Sequence, residues 1–152
     1  MPAPATALNP YATFLGAANP HEVLDMTSIT IARLTRATEA AQLTRSPAPG
    51  KWSIRDIICH LADAEISFAF RLRQTIAEAH HVIQPFDQDN WTSAYPSLDA
   101  RDALDAFTAF RQWNRLFIRA AGAAADTKRV QPPDRGGSTL PRIREEMGGT
   151  RT

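Results

Sequence analysis

The residues of this chain that could carry out chemistry are few. Cysteine occurs once, at Cys59, and histidine four times, at His21, His60, His80 and His81. A single cysteine excludes a zinc–thiolate cluster, and one that lies among apolar residues is usually a small buried hydrophobe. His60 and His80 are twenty residues apart, and such a stretch of helix is about 30 Å long. They therefore cannot bind one ion within a chain if a single helix carries both.

Glu65 is the first acidic candidate. It falls inside the apolar stripe of a predicted helix, so its carboxylate points towards the interior, where it could accept a proton. The alternative is a structural one, in which Glu65 lies at the edge of the core and pairs with Arg33, Arg71 or Arg73. The sequence leaves both interpretations open.

The loop after this helix supplies the other acidic candidates. Residues 80–91, HHVIQPFDQDNW, combine aromatic and acidic side chains. The aromatic residues would dock the loop on the core, and Asp87 and Asp89 would then be available as acids or ligands at the mouth of a pocket. A structural loop with solvated carboxylates is the equally weighted alternative.

One long helix, predicted near residues 53–80, must position these groups. Ser53 is a typical N-cap, and Asp56 three residues later favours the positive end of a helix. Neither proline nor glycine follows until Pro85. His60 lies at the edge of one apolar stripe, which consists of Ile54, Ile57, Ile58, Leu61, Phe68, Leu72 and Ile76. A second apolar line runs along another face through Cys59, Ala62, Ile66 and Phe70.

Two further long helices are predicted, near residues 20–43 and 99–121. The last has apolar residues at spacings of three and four, which predicts a core face of Leu104, Phe107, Phe110, Trp113, Phe117, Ala120 and Ala121. Residues 1–19 are predicted to be an irregular arm, and the atypical segment 122–152 to contain a short helix near 139–147. Three long helices leave one side of an apolar centre open. The prediction is therefore a single all-α domain, an antiparallel four-helix bundle with a shortened fourth helix.

Composition limits the possible partners. The formal net charge is +1, which gives no reason to expect nucleic acid or an anionic membrane surface. No stretch approaches the roughly 20 apolar residues of a membrane span, and the N-terminus lacks the pattern of a signal peptide, so we expect a cytoplasmic protein. The second apolar line and the uncovered core together predict a homodimer.

The run WSIRDIICHLADAE, followed by AFRLRQ and HHVIQPFDQDNW, resembles the DinB-like superfamily of bacterial four-helix-bundle proteins. The similarity extends from about Tyr11 to the PPDRGG turn near residue 136. It implies a divalent metal, zinc or nickel, bound by three histidines. His60 holds the place of the first, and an H-x-x-x-H pair on the last helix usually supplies the other two. Some relatives transfer low-molecular-weight thiols or isomerise small acids.

The sequence departs from that family pattern in its last segment. GGSTLPRIREEMGGTRT contains no histidine, so the three-histidine site is incomplete, as a truncated or frame-altered last segment would explain. We therefore expect weak or absent metal binding. The resulting hypothesis is a metal-dependent small-molecule hydrolase or thiol transferase, impaired in this chain, with His60 as metal ligand and Glu65 and Asp87 as catalytic acids. The alternative is a non-catalytic helical-bundle module for binding or dimerisation.

Overall fold

The computed structural model describes residues 12–78, 82, 86–122, 129–130 and 138–139. Helices dominate this part of the chain: α1 (Ala12–Leu15), α2 (Pro20–Ala37), α3 (Ala40–Leu43), α4 (Ile54–Ala77), α5 (Gln88–Trp91), a 3₁₀ helix (Thr92–Ser97) and α6 (Ala100–Ala121). A two-residue antiparallel pair joins β1 (Arg129–Val130) to β2 (Ser138–Thr139). The short helix predicted near residues 139–147 lies outside the described residues except for Thr139, which belongs to β2.

The long helices begin where the sequence predicts, because their first turns are capped locally. The Ser53 hydroxyl accepts a hydrogen bond from the Asp56 amide (3.2 Å), and the Asp56 carboxylate accepts one from the Ser53 amide (3.0 Å). This reciprocal pair satisfies two amides that α4 itself leaves without partners. Asn19 and Asp99 cap α2 and α6 in a similar way. The helix predicted over residues 20–43 is interrupted, since α2 ends at Ala37 and α3 begins at Ala40.

The helices α4 and α6 pack side by side and run in the same direction. Glu65 is hydrogen-bonded to Arg111, and about two helical turns further along each helix Leu72 packs against Ile118. Short connections favour antiparallel neighbours, but residues 78–99 form a connection long enough to return the chain to the start of α4. A sequence pattern does not encode this direction.

Helix α2 runs antiparallel to α6. Arg36, near the end of α2, lies 4.0 Å from Asp105 near the start of α6. Asp25, near the start of α2, accepts a hydrogen bond from Arg119 (3.1 Å) near the end of α6. The three long helices thus form a bundle in which α6 contacts both α2 and α4.

Two apolar clusters make up the core. One lies towards the end of α4 and consists of Leu24, Leu72 and Ile118. The other lies around the first half of α4 and consists of Ile58, Cys59, Leu61, Ala62, Tyr95, Ala103, Leu104 and Phe107. None of the helices in the described part of the chain is both long and apolar enough to cross a membrane.

Candidate functional site

The histidine that was predicted to be a metal ligand, His60, is enclosed by aromatic rings. His60 is 8% exposed. Its ring lies 5.1 Å from the ring of Trp52, between centroids, and 6.1 Å from the nearly parallel ring of Phe86. Trp91 packs edge-on against Phe86 at 4.6 Å. Trp52 precedes α4 and Phe86 precedes α5, so two loops converge on one turn of α4.

These surroundings favour a neutral imidazole. Burial lowers the pKa of His60 below its ordinary value, and the nearby negative charge of Asp63 only partly opposes this. The Nδ1 atom is buried, and the described residues offer it no hydrogen-bond partner. A neutral imidazole is the form that binds a metal ion, so His60 is chemically suited to be a ligand.

A complete metal centre needs more than this histidine. Within the described ranges, no group of three or more histidine, cysteine, aspartate and glutamate residues is arranged to hold an ion. His21 lies on the first turn of α2, near Leu24, which packs at the opposite end of α4 from His60. His80 and His81 lie outside the described residues. The residues that the structure describes therefore fit one ligand of a three-histidine site and do not fit the whole site.

Glu65 lies in the centre of the bundle and is almost completely buried. Its Oε1 accepts a hydrogen bond from Nε of Arg111 (2.6 Å), and its Oε2 accepts one from Nδ2 of Asn114 (2.9 Å). Asn114 also donates to the backbone carbonyl of Glu65 (3.0 Å). Both carboxylate oxygens of Glu65 thus accept hydrogen bonds from side chains of α6. The basic partner is Arg111, and not one of the three arginines named from the sequence.

Asp87 caps the short helix α5. Its Oδ1 accepts from the backbone amide of Asn90 (3.2 Å), and its Oδ2 accepts from the Asn90 side-chain amide (2.6 Å). Asp89 lies on the first turn of the same helix and is exposed. The carboxylate of Asp87 therefore stabilises the turn that follows Phe86, and through Phe86 it supports the aromatic surroundings of His60.

Sequence reasoning missed two polar pairs near this site. The hydroxyl of Tyr95 donates to Oδ2 of Asp63 (2.6 Å), and burial together with this bond raises the pKa of Tyr95 well above its ordinary value. The other pair is Glu65 with Arg111. Both join α4 to residues more than thirty positions away, so no local pattern could have indicated them. Burial also raises the pKa of Cys59 to about 11, which makes this thiol unreactive at neutral pH.

Comparison with known proteins identifies the family. A model of the DinB superfamily matches residues 24–145, which include most of α2 and all of α4 and α6. The chain belongs to the DinB superfamily. A solved structure supports the fold: that of YfiT from Bacillus subtilis aligns with a TM-score of 0.77 over 85% of this chain and 75% of YfiT, at 18% identity. YfiT is described there as a probable metal-dependent hydrolase with an unusual four-helix bundle topology. The predicted all-α bundle is confirmed.

Two curated relatives carry related names. One is "Putative metal-dependent hydrolase OB0782" of Oceanobacillus iheyensis, 39% identical over 54 residues, which are 36% of this chain and 31% of that protein. YfiT of Bacillus subtilis, named in the same way, is 29% identical over 72 residues, 45% of this chain and 40% of its own length. The chain therefore spans well under half the length of these relatives in the sequence matches. Both names describe the relatives themselves as metal-dependent hydrolases.

Proposed function

We propose that this DinB-superfamily chain is a metal-dependent hydrolase or thiol transferase for small molecules whose metal centre is incomplete. His60 is its retained metal ligand, and catalysis is impaired because the other ligands are missing. The observation that carries this proposal is the state of His60. It is buried, its burial lowers the pKa and so favours the neutral imidazole, and its Nδ1 has no hydrogen-bond partner in the described chain.

The surroundings of His60 support a role as ligand. Histidine ligands of metals usually donate their second ring nitrogen to a carboxylate or a carbonyl, which fixes the orientation of the ring. Here the rings of Trp52 and Phe86 fix the orientation instead. An apolar wall of this kind also limits the access of water, which strengthens electrostatic interactions at a bound ion.

The incompleteness follows from the ligand count. Catalytic zinc sites usually have three protein ligands and one open position for water or substrate. Residues 82–152 contain no histidine, so this segment does not supply an H-x-x-x-H pair. One imidazole alone leaves most of the binding energy of such a site unrealised.

The test restores the missing ligands. A variant is made in which a long helix carrying an H-x-x-x-H pair replaces the segment after residue 122. We expect its zinc affinity to exceed that of the natural chain by at least about a hundredfold, and His60→Ala to abolish the gain. The control is the same helix with both histidines changed to alanine. Equal zinc binding by the variant and its control would contradict the proposed role of His60.

The second candidate function is a non-catalytic binding or dimerisation module. It is favoured by the state of the two acidic candidates, since Glu65 is held by Arg111 and Asn114 and Asp87 caps α5. Carboxylates that are fully engaged in structural bonds are poorly placed to accept a proton from a substrate. A restored metal site that binds zinc and hydrolyses no small ester, amide or thioester would favour this module.

A further inference from the structure

One side of the bundle carries an apolar surface whose inner members, Cys59, Ala62 and Ala103, belong to the core cluster and whose larger side chains are exposed. We call it the α4–α6 face, and it consists of Cys59, Ala62, Ile66 and Phe70 on α4 with Ala103, Ala106, Phe110 and Trp113 on α6. The members follow each other at spacings of three and four residues on both helices. Each helix therefore has two apolar lines, one towards the core and one on this face. Such doubled lines are typical of a helix that contacts neighbours on two sides.

The outer part of this face is exposed. The exposed fractions are 43% for Ile66, 58% for Phe70, 38% for Phe110 and 61% for Trp113. Ile66 and Phe110 line the same groove, so the two helices contribute to one continuous surface. A contiguous patch of large apolar side chains on a protein surface usually marks a site of association.

One end of the face is acidic. A groove of about 740 Å³ opens there between α4, the 3₁₀ helix and the start of α6. Asp63, Asp99 and Asp102 line it, whereas its lining residues, all within the described chain, include no lysine, arginine or histidine. Although Asp63 accepts a hydrogen bond from Tyr95 and Asp99 caps α6, these carboxylates favour an occupant that brings positive charge.

The other end of the face carries a fixed cation. The guanidinium of Arg73 lies 4.4 Å from the ring centroid of Phe117 and donates a hydrogen bond to the carbonyl of Ala69 (2.8 Å). It also donates to Oδ1 of Asn114 (3.3 Å). The acidic end and the basic end lie on one helix, with the exposed Ile66 and Phe70 between them.

We propose that the occupant of the α4–α6 face is a second copy of this chain, related by a two-fold axis that makes the two α4 helices antiparallel. An axis at the level of residue 68 places Ile66 opposite the partner's Phe70. The same axis places Asp63 opposite the partner's Arg73. One symmetry operation thus matches both the apolar pair and the charged pair, as an isologous interface requires. Trp113 lies near this level on α6, because the neighbouring Asn114 is hydrogen-bonded to Glu65.

The first experiment measures mass in solution. Sedimentation velocity of the whole chain is expected to give twice the 16.7 kDa mass of one chain. Phe70→Glu should weaken the dimer by at least about thirtyfold, because it places a charge in the apolar centre. The matched control is Ile29→Glu, since Ile29 is 60% exposed but lies on α2. It should leave the dimer unchanged. Circular dichroism verifies that both variants remain helical.

The second experiment tests the register. Two variants, Ile66→Cys and Phe70→Cys, are made in a Cys59→Ala background, and each is oxidised mildly alone and in an equimolar mixture. The mixture is expected to give more disulfide-linked dimer than either variant alone.

A chain that stays monomeric up to about 1 mM, the weak limit of specific association, would overturn the proposal. A dimer that Phe70→Glu and Ile29→Glu weaken equally would also overturn it. Equal cross-linking in the mixture and in each cysteine variant alone would have the same consequence. A monomer whose groove instead binds an organic cation or an apolar peptide would also overturn it.

Discussion

His60 is oriented by ring packing and not by a hydrogen bond in the described chain. Trp52 and Phe86 enclose its imidazole, and Asp63, one turn further along α4, supplies a negative charge. Desolvation has the larger effect, so protonation of His60 is unfavourable in the folded protein. The fold thus favours the neutral imidazole that a metal ligand requires. The polar partner that usually binds the second ring nitrogen of a histidine ligand is absent from the described residues.

This state predicts a pH dependence of stability. The pKa of His60 is lowered from its ordinary value of 6.5 in the folded protein. The unfolded chain therefore binds a proton that the folded chain does not, and the free energy of unfolding should fall as the pH decreases through 6.5 towards the folded pKa. The measurement is urea unfolding at pH 7.5, 6.5 and 5.5.

The variant His60→Phe removes the titrating group and keeps an aromatic ring in the same surroundings. We expect it to reduce the loss of stability between pH 7.5 and 5.5. The matched control is His21→Gln, which changes a partly exposed histidine on α2. If His60→Phe shows the same pH dependence as the natural chain, the imidazole is not held neutral by the fold.

At the scale of elements, a buried polar group joins α4 to α6. Glu65, Arg111 and Asn114 occupy positions on the core-facing stripes of their helices, and all three are buried. The bonds among them connect the helices between the two apolar clusters and define their relative register. Nη1 of Arg111 is buried without a hydrogen-bond partner among the described residues, so removal of its carboxylate partner would leave it in a still less favourable environment.

The corresponding prediction separates a structural role of Glu65 from a catalytic one. Glu65→Gln should lower the free energy of unfolding by about 3–5 kcal/mol, because it leaves the Arg111 charge buried without a counter-charge. The double variant Glu65→Leu/Arg111→Met should recover much of that loss, since it removes both charges. Urea unfolding measures both. A loss below about 0.5 kcal/mol for Glu65→Gln would show that the pair contributes little to stability.

The sequence predicted the starts of the long helices well because they depend on nearby residues. Ser53 with Asp56 marks the start of α4 within four positions, and the Asn19–Pro20 pair marks the start of α2. The core face of α6 was predicted less well. Phe110 and Trp113 were expected to be buried, yet they are largely exposed.

The reason for that error lies in a long-range pairing. Arg111 and Asn114 take core positions of α6 because Glu65 on α4 supplies their hydrogen-bond partners. Apolar spacing alone assigned those positions to the neighbouring aromatic residues. The direction of α6 relative to α4 has the same origin, since it depends on the path of a long connection and on contacts between distant segments. Of the candidate site, the role of His60 as metal ligand, which came from family resemblance, and the roles of Glu65 and Asp87 as catalytic acids all stay predictions.

At the scale of the whole molecule, the bundle leaves apolar surface between α2 and α4 as well as on the α4–α6 face. A second groove, of about 230 Å³, is lined by Ile31 and Leu34 of α2 and by Ile54 and Ile57 of α4. The fold is that of the DinB superfamily, and residues 122–152 contain no histidine.

The central claim is that this chain retains one ligand of a metal centre and lacks the others. Isothermal titration of the whole chain with zinc tests it most directly, with His60→Ala as the companion variant. We expect a Kd of about 0.1–1 mM, which is about 4–5.5 kcal/mol, and little change in His60→Ala, because one imidazole contributes little without partners. A stoichiometric zinc site with a Kd of about 1 μM or tighter that disappears in His60→Ala would contradict the claim and would show that this chain completes the site with other residues.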